Sequence, residues 1–383
     1  MKTDMVVVGA GICGCVIARH FAEQGLNIKI IERRNHIAGN LYDFVDENGI
    51  LVQKYGVHLF HTSNTKLVDY LQRFTQLMPY STHGCVMIDE TPSPTPFNFK
   101  TLDIFFDESR ARQLKQLLCK NYPNRVSVTI VELLASTDPD ILDLARWFVE
   151  KDYRPYTSKQ WGVPMEQVDI NVLKRVPVRL SYDQGSFEDI VQVLPRLGYT
   201  KLIENILNHP RISVELNCDA TKIVNIEDGK VCLNGEYSSI PIVYTGSLDA
   251  LFSYKYGRLP YRTLRFEWRK EEKRQIAPVV CYPQVEGYTR ITDYTQLPFQ
   301  GDGTYSVLCY EYPIQFDGTT EPLYPINNED NDRIYQMYYE EAKNISNLYV
   351  CGRLADYKYY NMDQILERSL DMCDQIQSFV QED

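Results

Sequence analysis

The chain reads as an α/β protein: a dinucleotide-binding Rossmann-like unit interrupted by a helical insertion and by an antiparallel β-sheet. Three observations carry that reading. Met5 to Gly14, MVVVGAGICG, runs from an apolar strand into a G-x-G-x-x-G turn. Leu102 to about Asp152 follows a helical period. Tyr256 to about Pro325 is rich in aromatic, turn-separated strands.

The opening unit has a physical logic. Met5 to Val8 suit a buried strand, and Ile12, Cys15, Val16 and Phe21 keep a helical period until Gly25 stops it. Gly9 permits the tight turn, Gly11 the approach of a pyrophosphate, and Gly14 close helix–strand packing. The pyrophosphate would rest on the helix N-terminus, beside Ile12. A second strand, Asn27 to Ile31, ends at Glu32, about 20 residues past the glycines, where a carboxylate holds ribose hydroxyls.

The length suggests two or three domains. A net charge of −11 argues against a nucleic-acid partner. The ten cysteines show no metal-ligand spacing, and Cys13 and Cys15 read as small apolar packing residues. With no signal peptide and no apolar run of transmembrane length, a cytoplasmic, membrane-free protein with reduced thiols is expected.

After Glu32 comes a polar loop, Arg33 to Asn40, with Gly39 in it. It lies either over the cofactor or in solvent. Tyr55 to Thr62 carries His58 and His61, whose odd spacing on a strand puts them on opposite faces and gives no metal site. Asn64 to Phe74 is a short amphipathic helix, and Cys85 to Phe99 a proline-interrupted edge hairpin. One helix follows from Phe105 to Leu118, then a short one at Val131 to Leu134. Ser136-Thr137-Asp138 caps a third. The run Tyr153 to Gly162 interleaves aromatics and cations and reads as a loop. It is either a slot for a flat ring such as a nucleobase or a packing loop that anchors the helices. Lys174 to Arg179 packs three cations into six residues and can present arginine to phosphate. The helix from Gly198 and the strand Ile240 to Tyr244, ending in Thr245-Gly246, return to the first domain. Leu348 to Val350 then runs into Gly352 and Arg353, and a last helix runs from Met362 through Ile365, Leu366, Leu370, Cys373, Ile376 and Phe379. The N–H groups near Met362 and Asp363 can face a flavin carbonyl.

The blocks GAGICG, RRNHIAGN, YGVHLFHT, YTSKQWG, KRVPVR, GYTKLIE, GYTRIT and GRLADYKYYNMDQ occur in an order that resembles the UDP-galactopyranose mutases across nearly the whole chain. The resemblance implies a three-domain flavoprotein: a discontinuous FAD-binding domain (1–78, 197–250, 330–383), a helical domain (100–175) with a mobile lid at its end, and an antiparallel substrate sheet (79–99, 176–196, 251–329). It implies a homodimeric isomerase that interconverts UDP-galactopyranose and UDP-galactofuranose for cell-surface polysaccharide. Reduced FAD would act through N5 on the anomeric carbon.

By the same resemblance, Arg175 on the lid and Arg290 clamp the diphosphate and stabilise departing UDP. Tyr312 and Tyr359 bond the same diphosphate, and Tyr156 and Trp161 wall the uridine and substrate. Arg262, Asn361, Thr82 and Ser186 complete the substrate set. His61 stands beside the flavin as a catalytic group. Gly9, Gly11, Ile12, Gly14, Glu32, Arg33, Gly39, Asn40, His58, His61, Gly246, Gly352, Arg353, Tyr359, Met362 and Asp363 hold the cofactor. The family often has Asp at Asn361, Tyr at Ser186 and Asn at Thr82, and Phe187 to Leu194 also departs from its pattern. A mutase for another nucleotide sugar, such as UDP-N-acetylgalactosamine or a deoxy sugar, is the alternative. An amine-oxidase-like flavoprotein and an inactive FAD-fold binder are the other readings weighed. No second glycine fingerprint for NADPH is found, so an external reductant without a nicotinamide domain is expected.

Overall fold

The computed structural model describes residues 2–272, 274–300 and 305–380, with side chains through residue 377. Phe379 therefore lies outside the described side chains.

Five parallel strands form the first sheet, in the order Ile212–Glu215, Ile28–Ile31, Met5–Val8, Ile242–Tyr244, Leu348–Val350. This is the doubly wound order, with its switch point beside Met5–Val8. The helices Ile12–Glu23, Tyr199–Leu207 and Met362–Val380 contribute buried side chains to one core with one face of this sheet. Glu329–Lys343 packs on the other face.

The second sheet has seven strands, in the order Tyr324–Pro325, Tyr261–Glu271, Ser306–Gln315, Arg290–Asp293, Val279–Cys281, Gly84–Ile88, Thr91–Thr95. Its pairings are antiparallel except Val279–Cys281 against Gly84–Ile88. That one parallel pair departs from an all-antiparallel sheet. It arises because the sheet takes strands from two distant chain segments. Thr91–Thr95, with Pro92 and Pro94, occupies an edge, where missing N–H donors cost no inner ladder bond.

Helices Phe99–Phe105, Glu108–Asn121, Ile130–Leu134 and Pro139–Phe148 pack around Leu114, Leu118, Leu144 and Phe148. The expected single helix through Phe105 and Leu118 is two, because Asp107 caps a new start by accepting from the Arg110 N–H. Asp138 caps the Pro139–Phe148 helix as its position predicts. Val178–Arg179 pairs with Ser127–Val128, and Val191–Pro195 pairs with Phe60–Thr62 and Leu77–Pro79. Val193 and Leu194 thus pack in the nucleotide-binding core and not on the large sheet where 176–196 was expected.

Candidate active site

The glycine turn builds one half of the site. Gly9 has φ +104°, and a Cβ there would meet the Thr245 hydroxyl at 2.1 Å. A Cβ on Gly39 would lie 2.9 Å from the Gly11 Cα, so the Arg33–Asn40 loop approaches the turn backbone to backbone. Gly14 sits behind the turn, where a Cβ would strike the Gly9 carbonyl at 2.1 Å. It is a packing residue and does not line the cavity. The Glu32 carboxylate accepts from the Ala10 N–H at 2.8 Å and from the Arg34 N–H at 2.9 Å, which fixes it at the end of its strand.

These residues open onto a cavity of about 910 Å³. Gly9, Gly11, Ile12, Glu32, Arg33, Gly39, Asn40, His58, Gly246, Gly352, Arg353 and Met362 line it. Asp363 does not: its buried Oδ1 has no hydrogen-bond partner. The Arg34 Nη1 is likewise buried without one. Glycines where the turn backbone faces the cavity, an acid at the strand end and a helix N-terminus beside it fit the pyrophosphate and ribose of FAD. Arg33 and Arg34 both pair with Glu321, in the loop between the sheet strands Ser306–Gln315 and Tyr324–Pro325, and that loop lines the same cavity.

The two histidines separate. His58 lines the cavity, and its Nδ1–H donates to the Gly56 carbonyl at 2.7 Å. Burial, then the charges of Arg353 and Arg290, lower its pKa to about 4. It is therefore neutral at pH 7. His61 lies outside the cavity lining, held by Asp189 and stacked on Phe187 at 3.7 Å. Both histidines were expected at the cofactor; only His58 faces the cavity, and Phe60–Thr62 turns His61 away from the core that Phe60 and Thr62 enter.

The second half of the site is aromatic and cationic. The Tyr359 ring carries the Arg175 guanidinium at 3.9 Å and Arg353 at 4.8 Å, and it stacks on Tyr324 at 5.9 Å. Burial opposes ionisation of Tyr359, yet Arg175, Arg353 and Arg290 draw its pKa below the ordinary phenol value. Tyr359 belongs to this cluster and not to the cofactor cavity lining. Trp161 meets Tyr324 edge-on at 6.3 Å. Arg290 makes a two-pronged pair with the buried Glu311, at 3.0 and 2.7 Å. Burial alone would disfavour its charge, but Glu311 holds the guanidinium firmly protonated.

Tyr312 does not join this cluster. It follows Glu311 in the strand and points to the opposite face, where Arg265 lies 3.9 Å over its ring and Tyr288 packs against it. Tyr324, on the edge strand, takes the place expected for it. Alternation held the signal: once Arg290 and Glu311 share a face, Tyr312 must leave it.

Tyr153 to Gly162 is not a loop. Val149–Tyr153 forms a π-turn that continues as the helix Arg154–Trp161. Pro155 falls in the first turn, where no N–H is needed, and Gly162 closes the helix at φ +70°. Arg262 sits under that end, donating to the carbonyls of Gln160 (3.1 Å) and Lys159 (3.4 Å). Two of its five N–H donors thus anchor the end of the helix. The Lys159 ammonium donates to the carbonyls of Tyr282, Val285 and Tyr288 within 2.8 Å, which ties the helix to the strands carrying Cys281 and Arg290. No signal in the residue pattern marked Lys159 or Glu311 for these roles.

Ser186 donates both its N–H and its hydroxyl to the Thr82 carbonyl, at 3.1 and 3.0 Å, so these two expected site residues lie side by side. Asn361 precedes the Met362–Val380 helix, and its N–H donates to the Gln364 side chain.

Comparison with known proteins agrees with this geometry. The UDP-galactopyranose mutase family matches residues 151–359, and a NAD(P)-binding Rossmann-like domain matches residues 7–74. A UDP-galactopyranose mutase of Mycoplasma pneumoniae is 34% identical over 385 residues, covering 98% of this chain and 96% of its own length. A dTDP-fucopyranose mutase of Escherichia coli is 30% identical, covering 96% of each chain. Among solved structures, a reduced UDP-galactopyranose mutase shares the fold at a TM-score of 0.74 and 15% identity, covering 99% of this chain and 94% of that one. A putrescine oxidase shares it at 0.58 and 10%, covering 98% and 99%.

Proposed function

Because the chain belongs to the UDP-galactopyranose mutase family, isomerases whose cofactor is FAD, we propose that it interconverts UDP-galactopyranose and UDP-galactofuranose. The observation that carries this reading is the convergence of Arg175, Arg353 and Tyr324 on one ring, that of Tyr359, beside the cofactor cavity. An oxidase has no use for such a cluster; a nucleotide diphosphate does. When bound and reduced, FAD supplies a nucleophilic nitrogen for the anomeric carbon.

The chain supplies the rest. Arg175, with Arg290 and Arg353, offers positive charge to the diphosphate as UDP departs. Tyr324 and Tyr359 offer hydroxyl donors, and Tyr156 and Trp161 wall the base. His58, neutral, can share a hydrogen bond with the cofactor without adding charge. With this reading go a homodimer, an external reductant and a role in cell-surface polysaccharide as further parts of the proposal. Among the described residues no helix is long and apolar enough to cross a membrane.

A mutase for a related nucleotide sugar is the second reading. It is favoured by Thr82, Ser186 and Asn361 and by the likeness to the dTDP-fucopyranose mutase. The test is to incubate dithionite-reduced protein with UDP-galactopyranose and separate the isomers chromatographically, beside an oxidised control. Furanose product in the reduced sample alone supports the first reading. UDP binding without product directs the search to other sugars. Absence of both FAD and UDP binding overturns the proposal.

A further inference from the structure

Asp152 stands in the π-turn Val149–Tyr153, four residues before Tyr156 and seven before Lys159. Spacings of four and seven keep all three side chains on one face of the helix. Lys159 fixes where that face points: its ammonium reaches the turn between Val279–Cys281 and Arg290–Asp293. Tyr156 faces the same way. Burial, then Cys281, Arg290, Glu311 and Tyr324, act on its phenol. Burial, then Arg290, then Asp152, act in turn on the thiol of Cys281, the register partner of Arg290. Asp152, Tyr156 and Arg290 therefore front one cleft.

The Asp152 carboxyl has no hydrogen bond or ion pair among the described residues. The cations beside it in sequence are engaged elsewhere: Lys151 pairs with Asp89, and Arg154 with Glu150 and Glu166. Burial pushes the Asp152 pKa up to about 7. A protonated carboxyl carries one O–H donor and one acceptor oxygen side by side. Such a group, sunk in a cleft and unpaired, costs free energy unless a ligand supplies the partners. The edge of uracil supplies both: N3–H is a donor, and a carbonyl oxygen flanks it on each side. With Tyr156 against the face of the base, a carboxyl one turn away meets its edge.

We propose that Asp152 reads the edge of the pyrimidine base, its O–H donating to a uracil carbonyl and its carbonyl oxygen accepting from N3–H. The inference deepens the mutase reading and rests on it for the place of the nucleotide beside Tyr156. It is tested in oxidised holoenzyme at pH 6, where the carboxyl holds its proton, by titration with UDP and with N3-methyl-UDP. The proteins are wild type, Asp152→Asn and Asp152→Ala. Wild type should bind N3-methyl-UDP roughly 10- to 100-fold more weakly than UDP, since a bond is lost and its buried partner stranded. Asp152→Asn presents an amide with a donor and an acceptor. It should keep UDP affinity within about threefold and keep the methyl penalty. Asp152→Ala should bind UDP about tenfold more weakly and bind the two ligands within about threefold of each other, because the coupling between residue and N3–H is gone.

Equal affinity of the wild type for UDP and N3-methyl-UDP overturns the proposal, and that comparison needs no variant to fold. So does a methyl penalty that persists in full in Asp152→Ala. A wild type that binds no UDP removes the mutase reading itself, a result distinct from a wild type that binds UDP and is indifferent to the methyl group.

Discussion

Neighbouring residues on one strand can belong to different functions, and the Glu311-Tyr312 pair shows it. Glu311 faces Arg290, while Tyr312 lies under Arg265 on the far face. Tyr324→Phe should therefore weaken UDP binding about tenfold, the scale of one hydrogen bond to a charged group. Tyr312→Phe should leave it unchanged; a titration of both variants with UDP decides. His58 makes a second residue-scale prediction. Burial and two arginines keep it neutral down to about pH 4, whereas an unfolded imidazole takes up its proton near 6.5. Between those values the unfolded chain binds more protons, so stability falls as pH drops from about 6.5 to about 4. His58→Gln should shrink the difference in Tm between pH 7 and pH 5, measured with saturating FAD.

The Arg154–Trp161 helix is the element on which the nucleotide side depends. It carries Tyr156 and Trp161 and is secured by the Arg262 bonds to its last carbonyls and the Lys159 bonds to three carbonyls of the turn between the strands Val279–Cys281 and Arg290–Asp293. Gly162 makes the Arg262 seat available. A Cβ there would lie 2.8 Å from the Arg262 Nη1, at a φ of +70° that disfavours any side chain. Gly162→Ala should cost about 1–2 kcal/mol of stability and weaken UDP binding with FAD content intact, read by thermal denaturation and UDP titration. This element also marks where the residue pattern stops being informative. The strand–turn–helix at Met5–Glu23, Glu32, the Asp138 cap and the Met362 helix all rest on neighbours a few residues apart, and each is legible in order. Pro155 and Gly162 look like breakers in sequence; they act as a helix start and stop, and only the intervening periodicity could distinguish the two. Tyr324 in place of Tyr312, Arg262 as an anchor, and the Asp189–His61 pair depend on contacts over 100 residues or on strand register, neither of which composition or local spacing encodes.

At the scale of the whole molecule, the clamp is assembled from three separate parts of the chain. The segment after the Ile170–Leu173 helix brings Arg175, the seven-stranded sheet brings Arg290 and Tyr324, and the segment before the last helix brings Arg353 and Tyr359. Arg175 is exposed, yet its guanidinium lies over the Tyr359 ring, so it is the member that can be added or withdrawn without disturbing a core. Arg290, held by a buried Glu311, has no such freedom. Removing Arg175 should then cost transition-state charge but not the fold: Arg175→Ala should lower turnover by about 100-fold or more while FAD content and Tm stay near wild type. Arg175→Lys keeps the charge but loses the flat guanidinium that stacks on a phenol ring, so it should fall between the two. Steady-state rates with flavin absorbance on the same samples check both. Unchanged turnover in Arg175→Ala would place the working arginines on the sheet and the cofactor side alone, with the Ile170–Leu173 segment serving only as cover.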